Sequence, residues 1–280
     1  MTFGLRGVSV RRGGVLALQD VDIVLPPGEV RVVVGGDGAG KTTLLSTLAG
    51  ALRPMEGEVL RPEARRIGYL PAASGVYPDL SVAENLAFAA AAYGSRGAQA
   101  RERRRMLLAR AGLAGVEQRL GAQLSGGMRQ KLGVIRAMLH HPDLLILDEP
   151  TTGVDPVSRR ELWWLIAHAA AEGSAVVVAT TYVDEAERAA ELLLLDHGRT
   201  LGSGTPQAVA AAMPGRLYAG DDPPRGDAVD RAWRRGRPWR LWCPDEQAPG
   251  KGWREVRADL QDAVTVALLR WELSRRGGAA

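Results

Sequence analysis

The apolar positions of this 280-residue chain form two kinds of pattern. The short runs VRVVVG (30–35), DLLILD (143–148), AVVVAT (175–180) and ELLLLD (191–196) do not alternate with polar residues, which predicts strands buried on both faces. LALQDVDIVL (16–25) predicts another strand, stopped by Pro26, Pro27 and Gly28. KTTLLSTLAG (41–50) reads as a helix ended by Gly50. The Ala/Leu/Arg-rich stretch 82–140 has helical period in VAENLAFAAAAYG and RERRRMLLARAGL and reads as a helical insert, placed at about 75–140. Strands alternating with helices predict an α/β fold with a parallel sheet covered on both faces. The texture changes after residue 204. GDDPPRGD (220–227) reads as a loop or linker, RPWRLWCP (237–244) as a strand and DLQDAVTVALLRWEL (259–273) as an amphipathic closing helix. The expected organisation is a core over 1–204 and a small α+β subdomain over 205–280. Five of the seven tryptophans lie between Trp233 and Trp271, and packing anchors are their expected role.

Composition narrows the class without naming the chemistry. No apolar run reaches the roughly 18 residues of a spanning helix. The N-terminal MTFGLRGVSVRRGG has no apolar core of signal-peptide type, and a cytoplasmic location is expected. The single cysteine, Cys243, excludes an internal disulfide or a cysteine metal cluster within one chain. The net charge is +4, but acids are scattered among the arginines, so no nucleic-acid partner is expected. Only three of the 36 basic residues are lysines, which makes the position of Lys41 informative.

GGDGAGKTT (35–43) fits G-x-x-x-x-G-K-[ST], with a buried strand before it and a helix after it. In this arrangement Gly36, Asp37, Gly38, Ala39 and Gly40 turn backbone N–H groups inward as an anion nest, and the helix start at Lys41, Thr42 and Thr43 adds its positive end. Lys41 brings a point charge to the β- and γ-phosphates, and Thr42 offers a hydroxyl to Mg²⁺. Asp37 is out of place in a phosphate cradle and is expected to face out of it, toward a dimer partner. LLILDEPTTGVDP (144–156) is a strand ending in two acids, Asp148 to hold Mg²⁺ and Glu149 to orient and deprotonate an attacking water. LSGGMRQKL (124–132) opens a helix with Ser125, Gly126 and Gly127, a second anion site.

With LPAASGVYPDLSVAENL (70–86), these motifs resemble the ATP-binding cassette (ABC) ATPases over residues 3 to about 212. The resemblance implies a P-loop NTPase fold of ABC type: a mostly parallel core sheet, an antiparallel β subdomain and a helical insert. It implies ATP and Mg²⁺ as ligands, and a head-to-tail dimer in which Ser125, Gly126, Gly127 and Met128 of one chain close over the ATP of the other. Asp155 would lie in the loop that communicates across that interface. The helical insert would contact a separately encoded membrane permease, placing the chain at the inner face of the membrane. The wording around Met128, VYPDLSVAENL, TTGVDP and DLQDAV is most similar to exporter-type members of drug, antibiotic and polysaccharide systems.

Three positions depart from the family pattern. The adenine-stacking aromatic is replaced by Arg12, whose guanidinium can still stack on a purine. The glutamine that meets Mg²⁺ and water is replaced by Ala72. The histidine that meets the γ-phosphate is replaced by Thr181. Together they predict MgATP binding with weak hydrolysis, in a homodimer or in a heterodimer with a more complete cassette. Two alternatives stand beside an exporter subunit: a non-hydrolysing regulatory module, and a soluble ABC-type ATPase without a permease.

Overall fold

A computed structural model describes residues 2–245 and 248–277. The chain opens with β1 (Phe3–Arg12), β2 (Val15–Leu25) and β3 (Val30–Val34), then α1 (Lys41–Leu48), β4 (Glu56–Leu60) and β5 (Ile67–Leu70). Three helices follow, α2 (Val82–Ala92), α3 (Gly97–Arg110) and α4 (Gly126–Met138). Strands and helices then alternate: β6 (Leu144–Asp148), α5 (Pro156–Ala171), β7 (Ala175–Thr180), α6 (Val183–Ala186), β8 (Glu191–Asp196) and β9 (Arg199–Gly204). The last stretch holds α7 (Pro206–Ala211), β10 (Arg216–Gly220), β11 (Ala232–Arg234), β12 (Trp239–Cys243), β13 (Trp253–Val256) and α8 (Leu260–Gly277). The chain divides into two compact units, 1–200 and 201–280.

In the first unit the non-alternating apolar runs become the centre of a sheet ordered β5-β6-β7-β3-β8-β9. The strands β5, β6, β7, β3 and β8 pair in parallel. Every residue of β6 and β7 is buried, as strands covered on both faces require. A second sheet, β2-β1-β4, is antiparallel, and buried and exposed positions alternate along the second half of β2. Its inward residues Leu5, Val8, Leu18 and Val21 pack with Leu44 and Leu48 of α1 against Val33, Ile146 and Val177 of the parallel sheet. This shared core fixes the start of α1 against the ends of β3 and β6, where the motif residues lie.

The inserted helices are tied to α5 by ion pairs of well-buried cations. Arg103 of α3 holds Glu172 through two bonds of 2.6 and 2.8 Å, and Lys131 of α4 holds Glu161 at 2.7 Å. Ser81 caps α2 by accepting from the Glu84 amide while the Glu84 carboxylate accepts from the Ser81 amide, a capping box.

The second unit is built on the antiparallel sheet β11-β12-β10-β13. Trp242 packs with Leu217 and Val266 of α8, and Trp233 and Trp253 cover the two small cores. The indole of Trp242 donates to the Pro214 carbonyl at 2.7 Å. These tryptophans are packing anchors.

Candidate nucleotide site

The loop between β3 and α1 owes its shape to glycines that serve opposite ends. A methyl group on Gly35 would meet the Leu195 carbonyl oxygen at 2.3 Å, and one on Gly40 (φ +107) would meet the Ala17 carbonyl oxygen at 2.7 Å. Those two glycines let the loop press onto its own scaffold. At Gly36 and Gly38 the same position opens into free space. The loop is braced from behind by the β8–β9 turn, whose Gly198 amide donates to the Ala39 carbonyl at 2.8 Å. α1 then starts at Lys41 with no side-chain cap and no acid in its first turn, which leaves its N–H groups available to an anion.

Lys41 is 6% exposed. Its ammonium donates to the carbonyls of Gly35 at 2.8 Å and Gly36 at 3.0 Å and lies 3.3 Å from Glu149 Oε1. Glu149 follows β6 with φ +49, a left-handed conformation that costs an L-residue about 1–2 kcal/mol. Its amide donates to the Ala179 carbonyl at 2.9 Å, and its Oε2 accepts from the Thr152 hydroxyl at 3.0 Å. The carboxylate is therefore held from two sides. Asp148, at the end of β6, is 1% exposed. Burial pushes its carboxyl above the usual carboxylate range, opposed by a hydrogen bond from Thr42. Its Oδ2 is buried without a hydrogen-bond partner. An orphaned carboxylate oxygen beside a threonine hydroxyl is a hard-oxygen donor pair that suits Mg²⁺.

Lys41, Thr42 and Glu149 border a cavity of about 360 Å³, while Asp148 lies buried behind Thr42 and is not part of its lining; the volume is inside the range of roughly 300–1,000 Å³ common for small-molecule sites. Arg12, Gly36, Asp37, Gly38, Ala39, Gly40, Lys41, Thr42, Thr43 and Glu149 all line it. Asp37, expected to face out of the cradle, is exposed but still forms part of the wall. Four lining residues escape sequence reasoning: Val15, Leu16, Ala17 and His197.

The remaining candidates lie elsewhere. Ser125 caps α4, its hydroxyl accepting from the Met128 amide at 3.3 Å, and Ser125 and Gly126 are exposed. Asp155 caps α5, accepting from the Val157 and Ser158 amides at 3.0 Å each, and those bonds hold its carboxyl below the usual range. The two caps are neighbours: a methyl group on Gly127 would lie 3.6 Å from Asp155 Oδ2. Thr181 is exposed beyond β7, and the adjacent Thr180 hydroxyl accepts from the Tyr182 amide at 3.0 Å. Ala72 is exposed in the loop after β5. None of these residues lines the cavity.

A family model described as ABC transporter matches residues 18–152. The probable multidrug ABC transporter ATP-binding protein YbhF of Escherichia coli (strain K12) is 38% identical over 221 residues, covering 75% of this chain and 38% of that protein. The chain thus spans well under half the length of that relative. The Nod factor export ATP-binding protein I of Cupriavidus metallidurans is 38% identical over 216 residues, covering 72% of this chain and 70% of that protein. The daunorubicin/doxorubicin resistance ATP-binding protein DrrA of Streptomyces peucetius is 36% identical over 203 residues, covering 69% and 62%. A solved ATP-binding subunit of an ABC transporter superposes with a TM-score of 0.70 at 28% identity, over 75% of this chain and 92% of that one. The bacterial ABC transporter cassette MJ0796, solved as a dimer, gives 0.64 at 25% identity, over 73% and 98%.

Proposed function

The chain belongs to the ATP-binding subunits of ABC transporters, and from that membership we propose that it binds MgATP in the cavity beside Lys41 and couples that binding to a separate membrane permease of exporter type. No helix among the described residues is long and apolar enough to cross a membrane. The observation that carries it is the pairing of an uncapped helix start and a buried lysine with an orphaned carboxylate oxygen. The uncapped amides and Lys41 take the phosphates. Thr42 and Asp148 would hold Mg²⁺, which would supply positive charge to offset that of the phosphates. Glu149 is the general base toward water. A phosphate competes with Glu149 for the Lys41 ammonium, so phosphate binding and release of the carboxylate are coupled.

Hydrolysis is slow in this account. Ala72 has no polar atom to hold water, Thr181 has no positive charge, and each lost transition-state contact slows chemistry by roughly 10²–10³-fold where it acts alone. The separation of Ser125, Gly126 and Gly127 from the chain's own cavity supports a head-to-tail dimer in which they serve the nucleotide of the other cassette. An intact second face beside a depleted first site favours pairing with a more complete cassette. The names of the relatives, a probable multidrug ABC transporter protein, a Nod factor export protein and a daunorubicin/doxorubicin resistance protein, support an exporter.

The test is titration of the purified chain with MgATP beside Lys41→Ala. Loss of hydrogen bonds from a charged donor should weaken binding by roughly 30- to 100-fold. Equal affinity of the two proteins would overturn the assignment of the site.

A further inference from the structure

We propose that His197 holds the base of the nucleotide, supplying the aromatic stacking face that the guanidinium of Arg12 is not. This inference rests on the reading of the cavity as a nucleoside triphosphate site.

Four observations converge on His197. It lines the same cavity as Lys41 and Arg12, although it lies more than 150 residues away in sequence. It occupies the first position of the two-residue connection between β8 and β9, where His197 and Gly198 both have positive φ, +45 and +77. That is the pattern of a type I′ hairpin turn, in which Asn or Gly at the first position is the common solution. Histidine tolerates the left-handed region better than most side chains, but the turn does not require it, since Asn or Gly would serve. A strained residue on a cavity wall points to a role for its side chain. The ring is also held in place: its Nδ1 lies 2.7 Å from Asp196 Oδ2, and Asp196 itself is well covered. Since an ionised carboxylate can only accept, the hydrogen of this contact is carried by Nδ1. Finally, the turn is bolted to the phosphate cradle. The Gly198 amide donates to the Ala39 carbonyl, and the Gly198 carbonyl accepts from the Gln19 amide at 2.8 Å. The turn that carries the ring is therefore fixed to the loop that would hold the phosphates, and the ring itself is 60% exposed at the cavity's edge.

The rest of that wall suits a base. Val15 and Leu16 are apolar side chains that remain 68% and 36% exposed, an arrangement that leaves them free to cover a heteroaromatic ring. Lys41 and the uncapped amides account for the phosphate end. Beside Ala17 and Asp37, that wall offers an imidazole, a guanidinium and two aliphatic groups to a planar π-system. Stacking on an aromatic side chain recognises the face common to all bases, so His197 supplies affinity for the nucleoside without strong choice between bases.

The experiment compares wild type, His197→Asn and Lys41→Ala by calorimetric titration with MgATP and with magnesium tripolyphosphate, which has the phosphates but no base. Asparagine removes the ring and fits a type I′ turn, so the variant should melt at or above the wild-type temperature. His197→Asn should weaken MgATP binding roughly tenfold and leave tripolyphosphate binding within about twofold. MgATP binding equal to wild type, or equal losses for MgATP and tripolyphosphate, would overturn the role of His197 while Lys41→Ala still weakens both ligands. Wild-type protein that binds neither ligand would overturn the nucleotide reading itself.

Discussion

Replacing Asp148 by asparagine should move stability and ligand response in opposite directions. The carboxylate is buried at the end of β6, with Thr42 bonded to it and Oδ2 orphaned. Burial raises its pKa, and the charge of Glu149 adds to the effect, so the fold bears a cost for holding it ionised. A buried polar atom without a partner costs about 1–3 kcal/mol. Asparagine removes the charge and keeps an oxygen for Thr42, so the ligand-free variant should equal wild type or exceed it by up to about 2 kcal/mol. In a chain of this size ~1 kcal/mol moves the midpoint by about 2–4 °C. Ligand response should fall. A ligand at 100 times its Kd contributes about 2.7 kcal/mol, or roughly 5–10 °C. The part of that increment that MgATP gives beyond ATP with EDTA should vanish in Asp148→Asn, because a neutral amide oxygen replaces a carboxylate on a hard divalent cation. Thermal scans of tryptophan fluorescence, without ligand, with ATP plus EDTA and with MgATP, give all three quantities. A variant that melts well below wild type without ligand, or that keeps the full magnesium-dependent increment, would refute the assignment of Asp148 to the metal.

Two further predictions concern the scaffold. Gly40→Ala places a methyl group 2.7 Å from the Ala17 carbonyl at φ +107, so it should cost about 1–3 kcal/mol and weaken nucleotide binding; wild-type midpoint and affinity together would contradict that. His140, stacked on Tyr93 at 3.6 Å, is held down to about 4 from 6.5 by burial. The unfolded chain then binds more protons between those values, so this contribution is complete above about pH 6.5 and is lost as pH falls toward 4. The loss reaches about 3 kcal/mol at up to about 1.4 kcal/mol per pH unit. Urea unfolding at pH 7.5, 6 and 5 measures it, and a His140→Phe variant with the same slope as wild type would exclude His140 as the source.

The parts of the site that were legible in the sequence are those encoded locally. GGDGAGKTT and LLILDEP carry their strand, turn and helix signals in contiguous residues, and the spacing of Lys41 and Thr42 follows from the helix they begin. The non-alternating runs marked the buried strands because burial on both faces leaves no polar position. The wall made by Val15, Leu16, Ala17 and His197 was not legible, since it arises only when β2 and the β8–β9 turn meet the loop from opposite parts of the chain. DHG reads as a turn and nothing more. The left-handed backbone of Glu149 and its contact with Lys41 are equally silent in sequence, because the Ala179 carbonyl and Thr152 fix them from neighbouring segments. In the second unit the strand at 237–244 and the closing helix were readable. The three-residue β11 and four-residue β13 are too short to show a period, and sheet partners rather than pattern define them.

With Ala72 and Thr181 where the family pattern has glutamine and histidine, the proposed site is kept for binding more than for turnover. The most direct test is phosphate release by the purified chain with saturating MgATP, beside Glu149→Gln, with nucleotide binding titrated in the same samples. Both proteins should bind MgATP, and release by wild type should stay well below about one per second. Release of several per second that Glu149→Gln abolishes would contradict it, because Ala72 and Thr181 would then cost the reaction nothing.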